Sequence, residues 1–369
     1  MISLTRLTLL GGSSVMIELA QIARQYQDEF TQKYAKQMKG VHHQALTKIM
    51  ACHTPQAGAM LYHCDDCQTN STFHPSCGHR HCPACQHKSN SDWLTLQQQK
   101  LLPVDYYLVT FTLPYQCRHF IWTHQKWAYQ AMFTAAKQTL DAFFKRDKQL
   151  GENNGLIAVL HTHSRRLEFH PHIHLVVPAG GLDKSRKQWQ TKSGKYLFKA
   201  DNLAKVFRGK FIALLCASGY YLPAKTSSSW VADCQHVGKG DSALTYLARY
   251  LYRGVVNENN LLSIKHDRVT FQYKESKTKQ FKTITEHATA FLWRVLQHVL
   301  PSGFRRARNY GFLHGNANRT LKRLQLLLNV VLAPSETLPK KAFVAPNCAT
   351  QMTLYLMRRG HRVIMGHTI

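Results

Sequence analysis

The sequence predicts an α+β fold organised around a largely antiparallel sheet, and three observations predict it. Short runs of β-branched and aromatic residues recur among longer stretches of helical periodicity. Consecutive strand runs are joined by hairpin-length links, as at Arg165-Arg166, whereas a parallel pair would need a long crossover. Early in the chain a stretch crowded with Cys and His has no helical periodicity and suits a module organised by metal.

The elements follow in order. Residues 16–38 carry Ile17, Ala20, Ile22, Ala23, Tyr26, Phe30 and Tyr34 at helical spacing, with basic residues opposite, so an amphipathic helix is expected. A second helix is expected near 43–50, the Cys-rich module over 52–88 and another helix near 92–102. Tyr106-Tyr-Leu-Val-Thr-Phe-Thr-Leu113 reads as a strand stopped by Pro114, and a long helix follows over about 119–144. Residues 156–161 and 169–177 are two further strands. Then come a helix at 202–217, a strand at 230–237, a helix at 241–252, a strand at 269–273 and a helix at 286–300. Beyond Pro334 the chain is punctuated by Pro, Lys and Ser and is expected to be a loosely held tail.

Charge narrows the function. Lys and Arg number 48 against 20 Asp and Glu, a formal net charge of +28. Such an excess repels itself unless it meets a polyanion, which makes nucleic acid the leading partner. No run of 18 or more apolar residues is present, so no membrane span is expected. The first 17 residues carry one Arg and no small-residue cleavage site, so no secretory signal is read and a cytoplasmic location is expected. No recognised RNA-binding module is apparent, which places DNA ahead of RNA.

Five of the ten cysteines lie between Cys64 and Cys85. In a chain read without a signal peptide, Cys-x-x-Cys pairs point to metal and not to disulfides. Cys64-Asp-Asp-Cys67 and Cys82-Pro-Ala-Cys85 are expected to supply four thiolates to one structural zinc ion, as in zinc ribbons. Cys52, Cys77, His79 and His81 remain beside them as possible ligands of a second site.

His172-Ile-His174 lies inside a predicted strand, where a period of two sends both imidazoles to one face and Ile173 to the other. Two imidazoles so placed can chelate a divalent cation. His161 reaches the same face if the hairpin pairs it with His172, which needs a turn near Arg166 and Leu167; His170 and His163 stay open as alternative third ligands. Tyr246-Leu-Ala-Arg-Tyr250 offers two phenols from one helical face, with Arg249 and Arg253 suited to phosphate. A phenol titrates near 10 and is a weak nucleophile unaided, so a metal that polarises a phosphate would complement it.

Taken in order, these residues resemble the rolling-circle insertion-sequence transposases of the His-hydrophobic-His endonuclease superfamily. The resemblance rests on Cys77-x-x-x-His81-Cys82-Pro83-x-Cys85-Gln86, Val109-Thr-Phe-Thr-Leu-Pro114, His161-Thr162, His170-Pro-His-Ile-His174 and Tyr246-Leu-Ala-Arg-Tyr250. Leu300-Pro-x-Gly-Phe304 and Arg306-x-Arg308-x-Tyr310-Gly311 extend it. It implies an antiparallel nuclease sheet flanked by helices. The expected divisions are a helical segment over 1–50, a zinc-binding domain over 51–90, the nuclease over 100–315, and a C-terminal helix and tail over 316–369. It also implies nicking and rejoining of single-stranded DNA through a 5′-phosphotyrosine, with Mg²⁺ or Mn²⁺ on His172 and His174. Tyr250 is the preferred nucleophile and Tyr246 its partner, because some relatives keep only the tyrosine matching Tyr250. His163 and His53 depart from the pattern, where relatives often have an aromatic residue and Arg. Replication initiators and relaxases share the chemistry, and a purely DNA-binding protein would share the charge.

Overall fold

A computed structural model describes residues 16–183, 185, 187–194, 196–239, 255–275, 278–331, 342–359 and 362–365. Its helices are α1 (Leu19–Tyr34), α2 (Gly40–Ala51), α3 (Pro83–Gln98), α4 (Arg118–Thr123), α5 (Gln125–Arg146), α6 (Ala200–Ala217), α7 (Ala288–Leu296) and α8 (Asn318–Leu327). The first strands are β1 (Ala59–His63), β2 (Asn70–Phe73), β3 (Asp105–Thr112), β4 (Gly155–His163), β5 (Phe169–Pro178), β6 (Gly180–Asp183), β7 (Gln188–Thr191) and β8 (Val231–Lys239). They are followed by β9 (Leu261–Lys265), β10 (Arg268–Lys274), β11 (Phe281–His287), β12 (Ala307–Gly311), β13 (Thr353–Arg359) and β14 (Arg362–Met365). The mixture of helix with antiparallel sheet is the fold class the sequence predicts. Among the described residues no helix is long and apolar enough to cross a membrane.

The central sheet has the order β12-β4-β5-β3-β8, and every neighbouring pair is antiparallel. Both of its faces are covered, and the alternation along each strand shows how. Tyr107, Val109 and Phe111 of β3, Leu156, Ala158 and Leu160 of β4, and Ile173, Leu175 and Val177 of β5 join one core with α5 and α6. The intervening residues Tyr106, Leu108, Ile157, Val159 and Val176 meet Phe312, Leu321 and Leu324 in a second core. That second face continues along β4 and β5 into His161, His172 and His174, where apolar side chains give way to imidazoles. At the rim, β12 ends at Gly311 with φ +60°, where an added Cβ would fall 1.7 Å from the Asn154 carbonyl oxygen, so only glycine fits.

A second unit forms from distant parts of the chain. Leu19, Ile22, Tyr26 and Phe30 of α1 and Leu46 and Ile49 of α2 pack on Val269, Phe271, Phe291 and Leu292 of the β9–β11 sheet and α7. Residues 19–49, which belong to the segment 1–50 expected to stand on its own, thus share a core with residues 261–299. Their stripe of apolar residues had to face something, and its partner lies more than 200 residues away, beyond the reach of local periodicity.

The carboxy-terminal stretch also departs from expectation. Residues 353–359 pair with β1, giving a sheet of order β14-β13-β1-β2. The expected loose tail is in fact built into the Cys-rich module. Pro334, Ser335 and Pro339 lie outside the described residues, and of the strands after them, seven and four residues long, the first finds its partner in β1, nearly 300 residues earlier.

Candidate metal centres

β4 and β5 are joined by a tight turn in which Leu167 takes φ +59° and its amide donates to the Ser164 carbonyl at 3.0 Å. This turn sets the register, and the register places His161 directly opposite His172. One nitrogen from each of His161, His172 and His174 lies within 4.8 Å of the others. The ring centroids are 4.8 Å apart for His161–His174 and His172–His174, and 5.3 Å for His161–His172.

Two contacts orient the rings. His172 Nδ1 lies 2.7 Å from the His170 carbonyl, and because a carbonyl only accepts, the proton sits on Nδ1 and Nε2 keeps its lone pair. The Thr110 hydroxyl is 2.8 Å from His174 Nδ1, held there because Thr110 and His174 are register partners across β3 and β5. Burial pushes His172 down to about 4 and, with the neighbouring His172 charge, His174 down to about 3. Burial and the surrounding histidines hold His161 well below the usual imidazole value. All three rings are therefore neutral across the physiological range, which is the state that ligates metal. The donor set is three imidazoles with no carboxylate, a chemistry that fits Mn²⁺ better than the oxygen-seeking Mg²⁺.

Of the alternative third ligands, His170 is occupied: the Arg118 guanidinium donates to its Nδ1 at 2.6 Å. His163 turns toward His298, with centroids 5.4 Å apart, and stays outside the triplet. Tyr246, Tyr250, Arg249 and Arg253 lie outside the described residues.

The two Cys-x-x-Cys pairs, expected to share one ion, are parted. Cys82 and Cys85 join Cys52 and Cys77, while Cys64 and Cys67 join Cys348. The reason lies in the scaffold. Cys52 caps the end of α2, and Cys82 and Cys85 open α3, so the two helix ends converge on one point. Cys64 instead leaves β1 into a hairpin that faces the carboxy-terminal strands. In the four-thiol group the Cys52–Cys85 and Cys77–Cys85 sulfurs are 3.5 and 3.4 Å apart. A tetrahedron with bonds of about 2.3 Å has edges of about 3.8 Å, so the group is close to the right size for zinc. Backbone amides of Cys77, Gly78 and His79 donate to its sulfurs at 3.3–3.5 Å. Cys77 is held down at about 7 by the Cys52 and Cys82 thiols, and contacts with Cys52, Cys77 and Cys82 lower Cys85, which also sits at a helix N-terminus.

These two groups fall in the two stretches of the chain that match known families. The family model described as "Transposase zinc-binding domain" matches residues 22–113, and that described as "Putative transposase" matches residues 155–320. The chain is 31% identical over 352 residues to "Putative transposase y4qJ" of Sinorhizobium fredii, with 88% of each chain covered. It is 28% identical over 304 residues to "Transposase for insertion sequence element IS801" of Pseudomonas savastanoi pv. phaseolicola, covering 76% of this chain and 72% of that one. The chain belongs to the IS91 family of rolling-circle transposases. No solved structure matches it significantly. The zinc-binding match contains all four thiols of the first group, and the transposase match contains the three imidazoles, both tyrosines and both arginines.

Two family motifs prove to touch. His81, held open as a zinc ligand, is not among the thiols: its Nε2 accepts the Leu300 amide at 3.2 Å. Arg80 donates to the carbonyls of Phe304, Leu300 and Pro301 at 2.5, 3.1 and 2.8 Å. The loop between Cys77 and Cys82 therefore clamps the Leu300–Phe304 turn, which leads directly into β12 at the edge of the imidazole sheet. Sequence reading missed Arg80 altogether. Its signal was an Arg between two histidines within a zinc loop, a place where no exposed charge is needed for ligation.

Proposed function

We propose that this transposase nicks and rejoins single-stranded DNA through a phosphotyrosine at Tyr250 or Tyr246, at a site organised by His161, His172 and His174. The observation that carries the reading is the convergence of three neutral imidazoles, His161 buried and His172 and His174 half-buried, at the ends of β4 and β5. Neutral imidazoles clustered in a protein of net charge +28 bring no further positive charge to the site. They hold lone pairs aimed at one point.

In this reading His161, His172 and His174 would hold a divalent ion, Mn²⁺ or Mg²⁺, which when bound polarises the scissile phosphate and offsets charge in the transition state. Thr110 and the His170 carbonyl fix the ring orientations, and Arg249 and Arg253 bind the flanking phosphates. The tyrosine oxygen attacks phosphorus, the bond to the 3′-oxygen breaks, the phenolic proton is lost and the departing 3′-oxygen gains one. The 5′-phosphate is left as a tyrosine ester, so the bond energy is kept for rejoining. Attack by a 3′-hydroxyl on that ester reverses the step and frees the tyrosine. Two tyrosines permit two such transfers in turn.

The test uses labelled single-stranded DNA bearing the element's end, with Mn²⁺, analysed on denaturing gels, with the duplex form as comparison. A metal-dependent covalent adduct formed only on the single strand, and lost in His172→Ala and in Tyr250→Phe or Tyr246→Phe, is the expected result. Cleavage that survives loss of both phenols would mean water is the nucleophile. Binding with no adduct in any variant would leave only a DNA-binding role.

A further inference from the structure

We infer that Cys64, Cys67 and Cys348 form a second zinc site, separate from the four-thiol site, in which Ala345 stands at the position of a fourth ligand. The sulfurs of these three residues lie within 4.8 Å of one another, with Cys64 and Cys348 3.5 Å apart. Cys348 lies far outside the residues matched by the zinc-binding family model, which end at 113.

The inference rests on a correspondence between two hairpin tips. In the first, His63 pairs with Asn70 and the Cys64 amide donates to the Thr69 carbonyl at 3.0 Å. In the second, Val344 bridges Gln351 and the Ala345 amide donates to the Thr350 carbonyl at 2.8 Å. Each tip therefore encloses six residues closed by the same backbone bond. The fifth of the six takes a left-handed conformation in both, Gln68 at φ +56° and Ala349 at φ +59°. The correspondence sets Cys67 against Cys348 and Cys64 against Ala345.

The tips face each other about an approximate twofold axis. Thr350 donates to the Asp66 carboxylate at 2.7 Å, and Asn347 donates to the Thr69 hydroxyl at 3.1 Å, which is the same pair of positions with the two tips exchanged. Two thiol-bearing turns brought together in this way are how a zinc ribbon assembles a tetrahedral site. Here one corner is missing its donor. Ala345 is 1% exposed and packs with Cys64 and Met352, so the corner is a methyl group inside the site and not a residue pointing elsewhere.

The Cys67 sulfur lies 3.2 Å from the Thr69 hydroxyl, which holds it on the side of the tip that faces Cys348. Three thiolates leave one coordination position, which water or another small ligand can fill. The site thus ties the last strands of the chain to the hairpin that carries Cys64, and it binds its ion less tightly than the closed four-thiol site.

Zinc content of the purified, reduced full-length protein tests this directly. Saturated with zinc and desalted, and counted in a His172→Ala background so that the imidazole triplet holds none, the parent chain is expected to hold two ions and its Cys348→Ser variant one, since that thiol is exposed and its loss leaves the hairpin packing in place. A competing chelator should remove one ion well before the other. Ala345→Cys restores the fourth donor, and it is expected to tighten the weaker site by roughly a hundredfold, judged by the chelator concentration needed to strip it. One zinc per parent chain at saturation, unchanged in Cys348→Ser, would overturn the inference. So would two ions whose release is indifferent to both substitutions. Because the readout is metal content, neither result depends on whether the protein cleaves DNA.

Discussion

The four-thiol group and the imidazole triplet are both candidate metal sites, yet they relate to the fold in opposite ways. The thiols come from a helix end, a loop and a helix start, and backbone amides of Cys77, Gly78 and His79 donate to the sulfurs. The imidazoles project from two paired strands of a five-stranded sheet with a core on each face. One site makes its surroundings, whereas the other is made by them. A structural ion is defined by closure with four donors, and a working ion by three donors on a frame that stands without it.

Stripping metal should therefore separate the two most sharply. Chelation strong enough to empty the four-thiol site, or Cys82→Ser within it, is expected to unfold residues 52–85, a loss on the order of 10 kcal/mol for a structural zinc site. Loss of hydrogen-exchange protection confined to that module would show it. Unchanged protection in the zinc-free protein would break the comparison. His172→Ala should do the reverse. Cleavage falls by roughly a thousandfold or more as the ion loses a ligand, while the melting temperature changes little or rises, because a half-buried polar ring has been removed from a site that does not hold the fold. Unfolding of that variant would mean that the imidazoles serve the sheet and not a metal.

A third substitution tests the joint between the two regions. Arg80 binds three carbonyls of the Leu300–Phe304 turn from inside the zinc loop. Charge-assisted bonds of this kind are worth about 1.5–3 kcal/mol each and are not additive. Arg80→Met, which keeps the apolar stem, should lower stability in urea by about 3 kcal/mol and loosen the turn that feeds β12. If stability is unchanged, the clamp is incidental and the zinc module docks through its apolar contacts.

The same contrast explains what could be read from the sequence. The imidazole site was legible because period-two alternation and a short turn leave almost no freedom: with His172 and His174 on one face, the hairpin brings His161 to them. Local periodicity found β3, β4, β5, α1 and α5 for the same reason. The thiol sites were not legible in detail, because a Cys-x-x-Cys pair states that a metal is held but not which other pair completes it. Helix α3 had to be seen starting at Pro83, and α2 ending at Ala51, before Cys52 could be placed. Cys348 was harder still, since its partner is 284 residues away and Ala345 hides the second half of its motif. β1, β2 and β9 are only four or five residues long and β11 is largely polar, and their pairing supplies what length and composition do not.

The smallest effect concerns acid, and it shows that the working half of the molecule is not the only part tuned to neutral histidine. His42 is buried on α2 in the unit that α1 and α2 form with α7, its Nδ1 accepts the Lys39 amide at 2.8 Å, and its ring lies between Trp122 and Trp293. Burial, and then the charge of Lys39, push it down to about 4. An imidazole whose folded pKa is depressed takes up its proton more readily in the unfolded chain, so stability falls as pH drops from about 6.5 toward 4 and is unaffected above that window. At pH 5 this residue alone should cost about 2 kcal/mol. His172, His174 and His298 are depressed in the same direction, so the wild-type curve should be steeper than one proton can account for. The difference between wild type and His42→Gln isolates the single residue and leaves every proposed metal ligand in place. Urea midpoints measured from pH 7 to 4.5 should converge as pH falls, with a slope in the variant shallower by about one proton. Parallel curves would mean that His42 is protonated in the folded protein, and that its place between two tryptophans is a cation's and not that of a neutral ring.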